Sequence, residues 1–237
     1  MATNIQLPNK ILCHGHWLVN NRKMSKSIGN VIDPFECLKK YSSDGVRYFL
    51  LREGLPDSDC NISEDKFTKF INAELANTLG NLYSRVIPFS NSLKFNSFNE
   101  IEQCLDEDDK NIIRNLSNLR NECDNYYNKF DFFHGIQSVM YNLRNANSLV
   151  QNCKPWTLIN SKNEKDSKKL KKMMFLVYET LRISAILLQP IVPDLSKDLL
   201  DRLNVGIYER YYKNALVDIT SGTKAIQNKE KFLFKRI

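Results

Sequence analysis

The sequence predicts a mainly α protein, a small α+β unit followed by an antiparallel helix bundle. Three observations carry this prediction. Residues 11–19 form an apolar, partly alternating run that ends in Asn20-Asn21, the pattern of a strand entering a turn. From Ser63 onward, apolar residues recur at three- and four-residue spacing over most of the chain. The connections between these periodic segments are short, which favours antiparallel neighbours.

Residues 22–32 are basic, hydroxylated and glycine-containing, as a loop should be. Asp33-Pro34-Phe35-Glu36 is a helix start, with Asp33 as N-cap, Pro34 at N1 and Glu36 placed to close a capping box. A second short helix fits Ser43 to Glu53, stopped by Gly54. Ser63, followed by Glu64 and Asp65, opens the first long helix. Its apolar positions run from Phe67 to Val86, and Pro88 ends it. A second helix starts at Asp106–Asp109 and carries Ile112, Leu116, Leu119, Cys123, Tyr126 and Phe130 on its apolar face. A third follows Asp131, with Ile136, Met140, Leu143 and Val150 facing inward. A fourth spans roughly 166–189, and a shorter one follows Pro193. The expected division is residues 1–62, residues 63–210, and an irregular tail at 211–237 that is either docked or frayed. The Lys-rich stretch Ser161–Lys172 reads as a solvated loop and helix start.

With 237 residues the chain can bury a substantial core. Its hydrophobic fraction of 42% and charged fraction of 26% are those of an ordinary globular protein. A net charge of +7 favours an anionic partner, nucleic acid being the commonest, although a solvated basic surface would give the same sum. The six cysteines show neither C-x-x-C spacing nor the pattern of a zinc site, so most are expected to be small core residues in a reducing compartment. No apolar run is long enough to span a membrane. Residues 1–10 lack a signal or transit pattern, so either the N-terminus does not target the protein or the natural start lies upstream.

Arg22-Lys23-Met24-Ser25-Lys26-Ser27-Ile28-Gly29-Asn30 suits a polyphosphate. Lys23 and Lys26 supply point charges on flexible stems, Ser25 and Ser27 supply neutral donors, and Gly29 permits tight turning. Expulsion of pyrophosphate builds negative charge on the leaving group. Ammonium groups that engage it at that moment stabilise the transition state more than the ground state. A generic K-x-x-K loop would be read as merely exposed. Here Lys23-Met24-Ser25-Lys26-Ser27 matches the KMSKS signature of class I aminoacyl-tRNA synthetases at all five positions and follows a predicted strand. The continuation Gly29–Pro34 resembles the same class.

Two further stretches, Asp44–Glu53 and Glu74–Arg85, resemble the methionyl-tRNA synthetase family, closest to its short, mitochondrial type. The resemblance runs from about residue 10 to about residue 205. It implies that residues 1–62 are the end of a Rossmann catalytic domain plus a connecting fold, and that 63–210 is a helical anticodon-binding domain. It also implies ATP, with Mg2+ as counter-ion, held at Lys23, Met24, Ser25, Lys26 and Ser27, with Lys23 and Lys26 catalytic. No zinc is implied. Asn81, Arg85 and Trp156 match the family's readers of the CAU anticodon of tRNA(Met). Their chemistry agrees: i and i+4 share a helix face, Asn and Arg supply complementary hydrogen-bonding groups, and Trp offers a stacking platform. Taken singly, each could be a surface or core residue. His14-Gly15-His16 is not the family's His-Ile-Gly-His signature, and the two histidines are expected to be strand residues packing beside the loop. The terminal Phe232–Ile237 is similar to the family's ending, with Lys235 where Pro is common.

The family's methionine pocket and its first nucleotide-binding half do not lie within these residues. The expected function is therefore methionine–tRNA ligase in partial form, with the isolated chain inactive in methionine activation. A stand-alone tRNA-anticodon-binding module and a purely structural pseudo-synthetase subunit are the alternatives. By resemblance the protein is expected to be a monomer in the mitochondrial matrix, with the cytoplasm as the alternative and no membrane partner.

Overall fold

The structure, a computed structural model, describes residues 6–55, 57–93, 102–218, 226 and 232–237. Strand β1 (Trp17–Val19) pairs antiparallel with β2 (Arg22–Lys23) and parallel with β3 (Cys60–Asn61), giving the order β2-β1-β3. Asn20 and Asn21 both have positive φ, 50° and 60°. That is the requirement of the tight hairpin turn whose twist matches its strands. Asn61 locks the turn from β3, accepting from the Asn21 N–H at 2.8 Å.

The strand is shorter than the apolar run suggested. Ile11 and Leu12 are exposed, and pairing starts only at Trp17. His14 and His16 are exposed residues of the approach segment, which corrects their placement within the strand. The backbone there is held by Asp59, which accepts from the His16 N–H at 2.6 Å. Gly15 is required: a Cβ would lie 2.1 Å from the Ser58 carbonyl oxygen. The second partner strand, β3, was not anticipated, because two residues are too few to leave a periodic signal.

Helix α1 (Pro34–Glu53) joins both predicted short helices through a break at Ser42, φ 64° and ψ 168°. Asp33 caps it by accepting from the Phe35 N–H at 2.7 Å. The predicted capping box does not form, because Glu36 turns outward to Lys39 at 2.7 Å. Ser42 restarts the helix, its hydroxyl accepting from the Gly45 N–H.

The first long helix is three segments in series. Helix α2 (Glu64–Phe70) is capped by Ser63 as expected. Residues Ile71–Gly80 then widen into a π-helix, and α3 (Asn81–Val86) returns to α geometry. Thr78 Oγ1 donates to the carbonyl five residues back, Ala73, at 2.8 Å. A 3-10 turn follows at Ile87–Leu93.

The bundle consists of α4 (Glu107–Tyr127), α5 (Phe132–Cys153), the short α6 (Pro155–Leu158), α7 (Glu164–Leu188) and α8 (Pro193–Arg202). A reciprocal capping box between Asp106 and Asp109 opens α4. Phe130, expected on its buried face, instead lies past its end with φ 61° and is exposed. Tyr127 packs inward, against Gly135, where a Cβ would come within 2.4 Å of the ring. α7 is the centre of the bundle. From Met173 to Leu188 every residue is buried, so the one-sided pattern expected of a surface helix describes only its first turns. Only Cys123 and Cys153 are buried, which corrects the expectation that most cysteines are core residues.

One continuous core links the α+β unit to the bundle, from Tyr41 and Phe49 through Leu75 and Leu143 to Leu181 and Leu199. Its seam is polar. Asp44 accepts from the Leu195 N–H at 2.6 Å, at the start of α8. Burial pushes the Asp44 carboxyl above the usual range. Arg47 donates to the Pro190 and Ile191 carbonyls at 2.6 and 3.0 Å. Buried Glu74 takes Tyr48 OH at 2.5 Å and Arg52 at 3.0 Å, with Arg144 3.6 Å away. The Arg52 guanidinium also lies 4.6 Å from the Phe133 ring centroid. The tail is docked where it is described. Arg182 holds the Asn214 and Leu216 carbonyls, Leu233 is buried, and Asn72 exchanges two hydrogen bonds with Ile237.

Candidate nucleotide loop and RNA-reading face

Lys23 ends β2, so the hairpin fixes where the loop leaves the sheet. Met24 turns its side chain onto the core and anchors the loop's base. Asn30 then closes the neck: its Oδ1 accepts from the Ser25 N–H at 2.8 Å and its Nδ2 donates to the Lys23 carbonyl at 3.1 Å. Within the loop, the Ser25 and Ser27 hydroxyls are 2.7 Å apart. The N–H of Gly29 reaches the carbonyls of Ser25 and Lys26, at 3.1 and 3.2 Å. Gly29 has φ 73°, a conformation that tolerates other residues poorly. Lys23, Lys26 and Ser27 are exposed. Among the described residues, the backbone N–H groups of Lys26 and Ser27 donate to no protein acceptor. The loop thus presents two ammonium groups, two hydroxyls and two open backbone donors, and no carboxylate. Asn30 had no role in the sequence reading; an amide just after a glycine turn was the available signal.

The second group lies on the bundle. Asn81 opens α3 and is exposed, facing a cleft of 940 Å³ that Asn77, Ser84 and the terminal Lys235 and Arg236 also line. The tail passes beside Gly80, where a Cβ would stand 3.7 Å from the Phe234 nitrogen, an ordinary contact. Arg85, one turn on, is half-buried and points to α5. It donates to Gln151 Oε1 at 2.6 Å and to the Asn147 carbonyl at 3.4 Å. Asn147 in turn donates to the Thr78 carbonyl at 2.9 Å, tying α5 to the π-helix.

Trp156 sits on α6, which begins two residues past Cys153, the end of α5. Lys154 adopts φ 51° between the two helices, and buried Pro155 starts the new one. That reversal leaves Trp156 50% exposed, a large apolar ring that the core did not take. Arg85 therefore meets the last turns of the helix that leads directly to Trp156, and Asn81 is its i−4 neighbour on α3. The loop residues 23–27 form a separate site on the other unit. Gln151 and Glu74 are the partners that sequence reasoning missed. Their roles depend on contacts 66 and 22 residues away along the chain.

Residues 1–87 match the family model described as tRNA synthetases class I (M). Residues 109–233 match the model of the anticodon-binding domain of tRNA ligase. The mitochondrial methionine–tRNA ligase of Takifugu rubripes is 36% identical over 222 residues, covering 90% of this chain and 38% of the relative. The corresponding protein of Candida albicans is 33% identical, covering 100% of this chain and 46% of the relative. The Mycobacterium tuberculosis methionyl-tRNA synthetase in complex with methionyl-adenylate superimposes with a TM-score of 0.85 at 27% identity. That match covers 98% of this chain and 45% of the other. The chain thus spans less than half the length of these relatives. A model for the anticodon-binding domain covers more than half of the chain, a class I model covers the loop-bearing unit, and the relatives align across nearly all of it. On these grounds the chain belongs to the class I methionyl-tRNA synthetase family.

Proposed function

We propose that this chain supplies the ATP-handling loop and the anticodon-reading domain of a methionine–tRNA ligase. Residues 1–62 carry the loop, 63–210 the RNA-reading bundle, and 211–237 the C-terminal tail. In the complete reaction, the methionine carboxylate attacks the α-phosphate of ATP and pyrophosphate leaves. The methionyl group of that adenylate is then transferred to the terminal adenosine of tRNA(Met), and AMP leaves. Lys23 and Lys26 engage the departing phosphates, with Ser25, Ser27 and the open N–H groups of the turn as neutral donors. Met24 serves as the anchor about which the loop moves. The loop brings no carboxylate, so a Mg2+ ion here would be held by the phosphates themselves.

Asn81 and Arg85 read the first anticodon base of the CAU triplet, and Trp156 stacks on it. The observation that carries this reading is the half-exposed Trp156 just past the end of the helix that binds Arg85. We place the protein, as a monomer, in the mitochondrial matrix, following the names of its relatives. Because the chain spans under half of those relatives, we propose that it does not activate methionine by itself. ATP–pyrophosphate exchange by the purified chain would contradict that.

The RNA reading is tested by fluorescence anisotropy with a hairpin bearing a CAU loop. Trp156→Ala is expected to weaken binding by about 1–3 kcal/mol while leaving the melting curve unchanged. Undiminished affinity would remove Trp156 from the site. The second reading, a stand-alone tRNA-anticodon-binding module, uses the same bundle. It is favoured if the chain binds the hairpin but its Lys26→Ala variant cannot be distinguished from wild type in ATP binding.

A further inference from the structure

Arg85 has five N–H donors in a rigid fork and a long stem with several rotatable bonds. A guanidinium that must meet one edge of an unstacked base works only if that stem is fixed beforehand. Gln151 is placed to fix it. Its Oε1 accepts from one Arg85 NH2 donor at 2.6 Å, from an exposed position in the last turn of α5. The second contact of the fork, to the Asn147 carbonyl, is long at 3.4 Å and orients the group only weakly. Gln151 is neutral, so the contact consumes a donor and leaves the positive charge of Arg85 uncompensated toward RNA. Arg85 offers only donors, so the Gln151 amide must turn its oxygen to it. The same helix end leads into Trp156, so a fixed Arg85 is fixed relative to the stacking platform as well.

We infer that Gln151 is a positioning residue for Arg85, setting preference for the first base of the loop by holding the guanidinium through its side-chain oxygen. This inference rests on the anticodon reading proposed above. It assigns the preference to a contact between α3 and α5 as well as to the groups that touch the base.

The test uses this chain with two hairpins of identical stem, one with a CAU loop and one with a UAU loop, and reads the ratio of their affinities by anisotropy. Gln151→Ala is expected to lower the ratio about three- to tenfold, the size of one solvent-exposed hydrogen bond. In an Arg85→Ala background the same change should lower it no further, since Gln151 acts through Arg85. Gln151→Glu keeps the oxygen acceptor and should preserve the ratio, while its added charge weakens both hairpins alike. The inference is overturned if Gln151→Ala leaves the ratio intact, if its effect persists in full without Arg85, or if Gln151→Glu loses the ratio as Ala does. Failure of Arg85→Ala itself to change the ratio would instead sink the anticodon reading.

Discussion

The loop at Lys23–Ser27 and the reading face at Arg85 are held in opposite ways. The loop is closed by its own short-range hydrogen bonds, within Lys23 to Asn30, and its cations stand in solvent with one side chain, Met24, on the core. Arg85 is fixed by partners on a different helix, more than sixty residues along the chain. The contrast follows from the work proposed for each. A group that must follow charge onto a leaving pyrophosphate gains from mobility on a tethered loop. A group that must distinguish one base edge from another gains from being fixed before the base arrives. Between the two lies the Glu74 seam, where Tyr48 and Arg52 from the loop's own helix meet the π-helix that precedes Asn81.

Breaking that seam should have the largest effect. Glu74→Ala leaves Arg52 buried against a vacancy, since the Arg52 side chain is only 9% exposed. The expected loss in urea unfolding is about 3–5 kcal/mol. If the change costs no more than a surface substitution, the two sites are not joined through a buried charge. The RNA effects of Trp156 and Gln151 come next in size and should leave unfolding untouched.

Asp106 offers a smaller and pH-dependent probe of the bundle alone. The Asp109 N–H, and then Lys172, hold its carboxyl down to about 2. A depressed folded-state value stabilises above the ordinary carboxylate range and loses that stabilisation as pH falls through about 2. Asp109 opposes this, its carboxyl pushed up by burial. Asp106→Ala should cost about 1 kcal/mol at pH 6, and the difference from wild type should shrink steadily below pH 4. A difference that stays constant down to pH 2 would show that the capping charge contributes nothing.

The smallest global effect is expected at the loop. Asn30→Ala should change unfolding by less than about 0.5 kcal/mol, because the neck is only half-buried and its contacts are local. Hydrogen exchange at the Ser25 amide should accelerate, since Asn30 is its acceptor. An unchanged rate would mean that the loop is not held by that clasp. A large loss of global stability would break the distinction between the two regions.

Much of the fold was legible along the chain because its signals are local. Caps at Asp33, Ser63, Asp106 and Asp131 all accept from the first turn of their helices, as their residue types predict. The Asn20-Asn21 turn is equally local, and so is the five-residue loop signature. The expectations that failed were those that depended on neighbours. Glu36 could close a capping box or pair with Lys39, and nothing in the sequence decides between them. The apolar run at 11–19 could be strand throughout, but β3 offers only two residues for it to pair with.

The site divides in the same way. Lys23, Lys26, Asn81, Arg85 and Trp156 could be named from residue type, spacing and family resemblance. Asn30, Glu74 and Gln151 could not, because a neutral or buried polar residue takes its meaning from its partner. By itself the sequence determined where helices start, which faces are apolar and which residues are the candidates for chemistry, since backbone capping and periodic burial act over a few residues. Only the tertiary structure decided that α7 is buried on every side, that the helix before Asn81 widens into π geometry, and that Arg85 is held by Gln151. Those features arise when segments distant in sequence compete for the same space and the same hydrogen-bond partners.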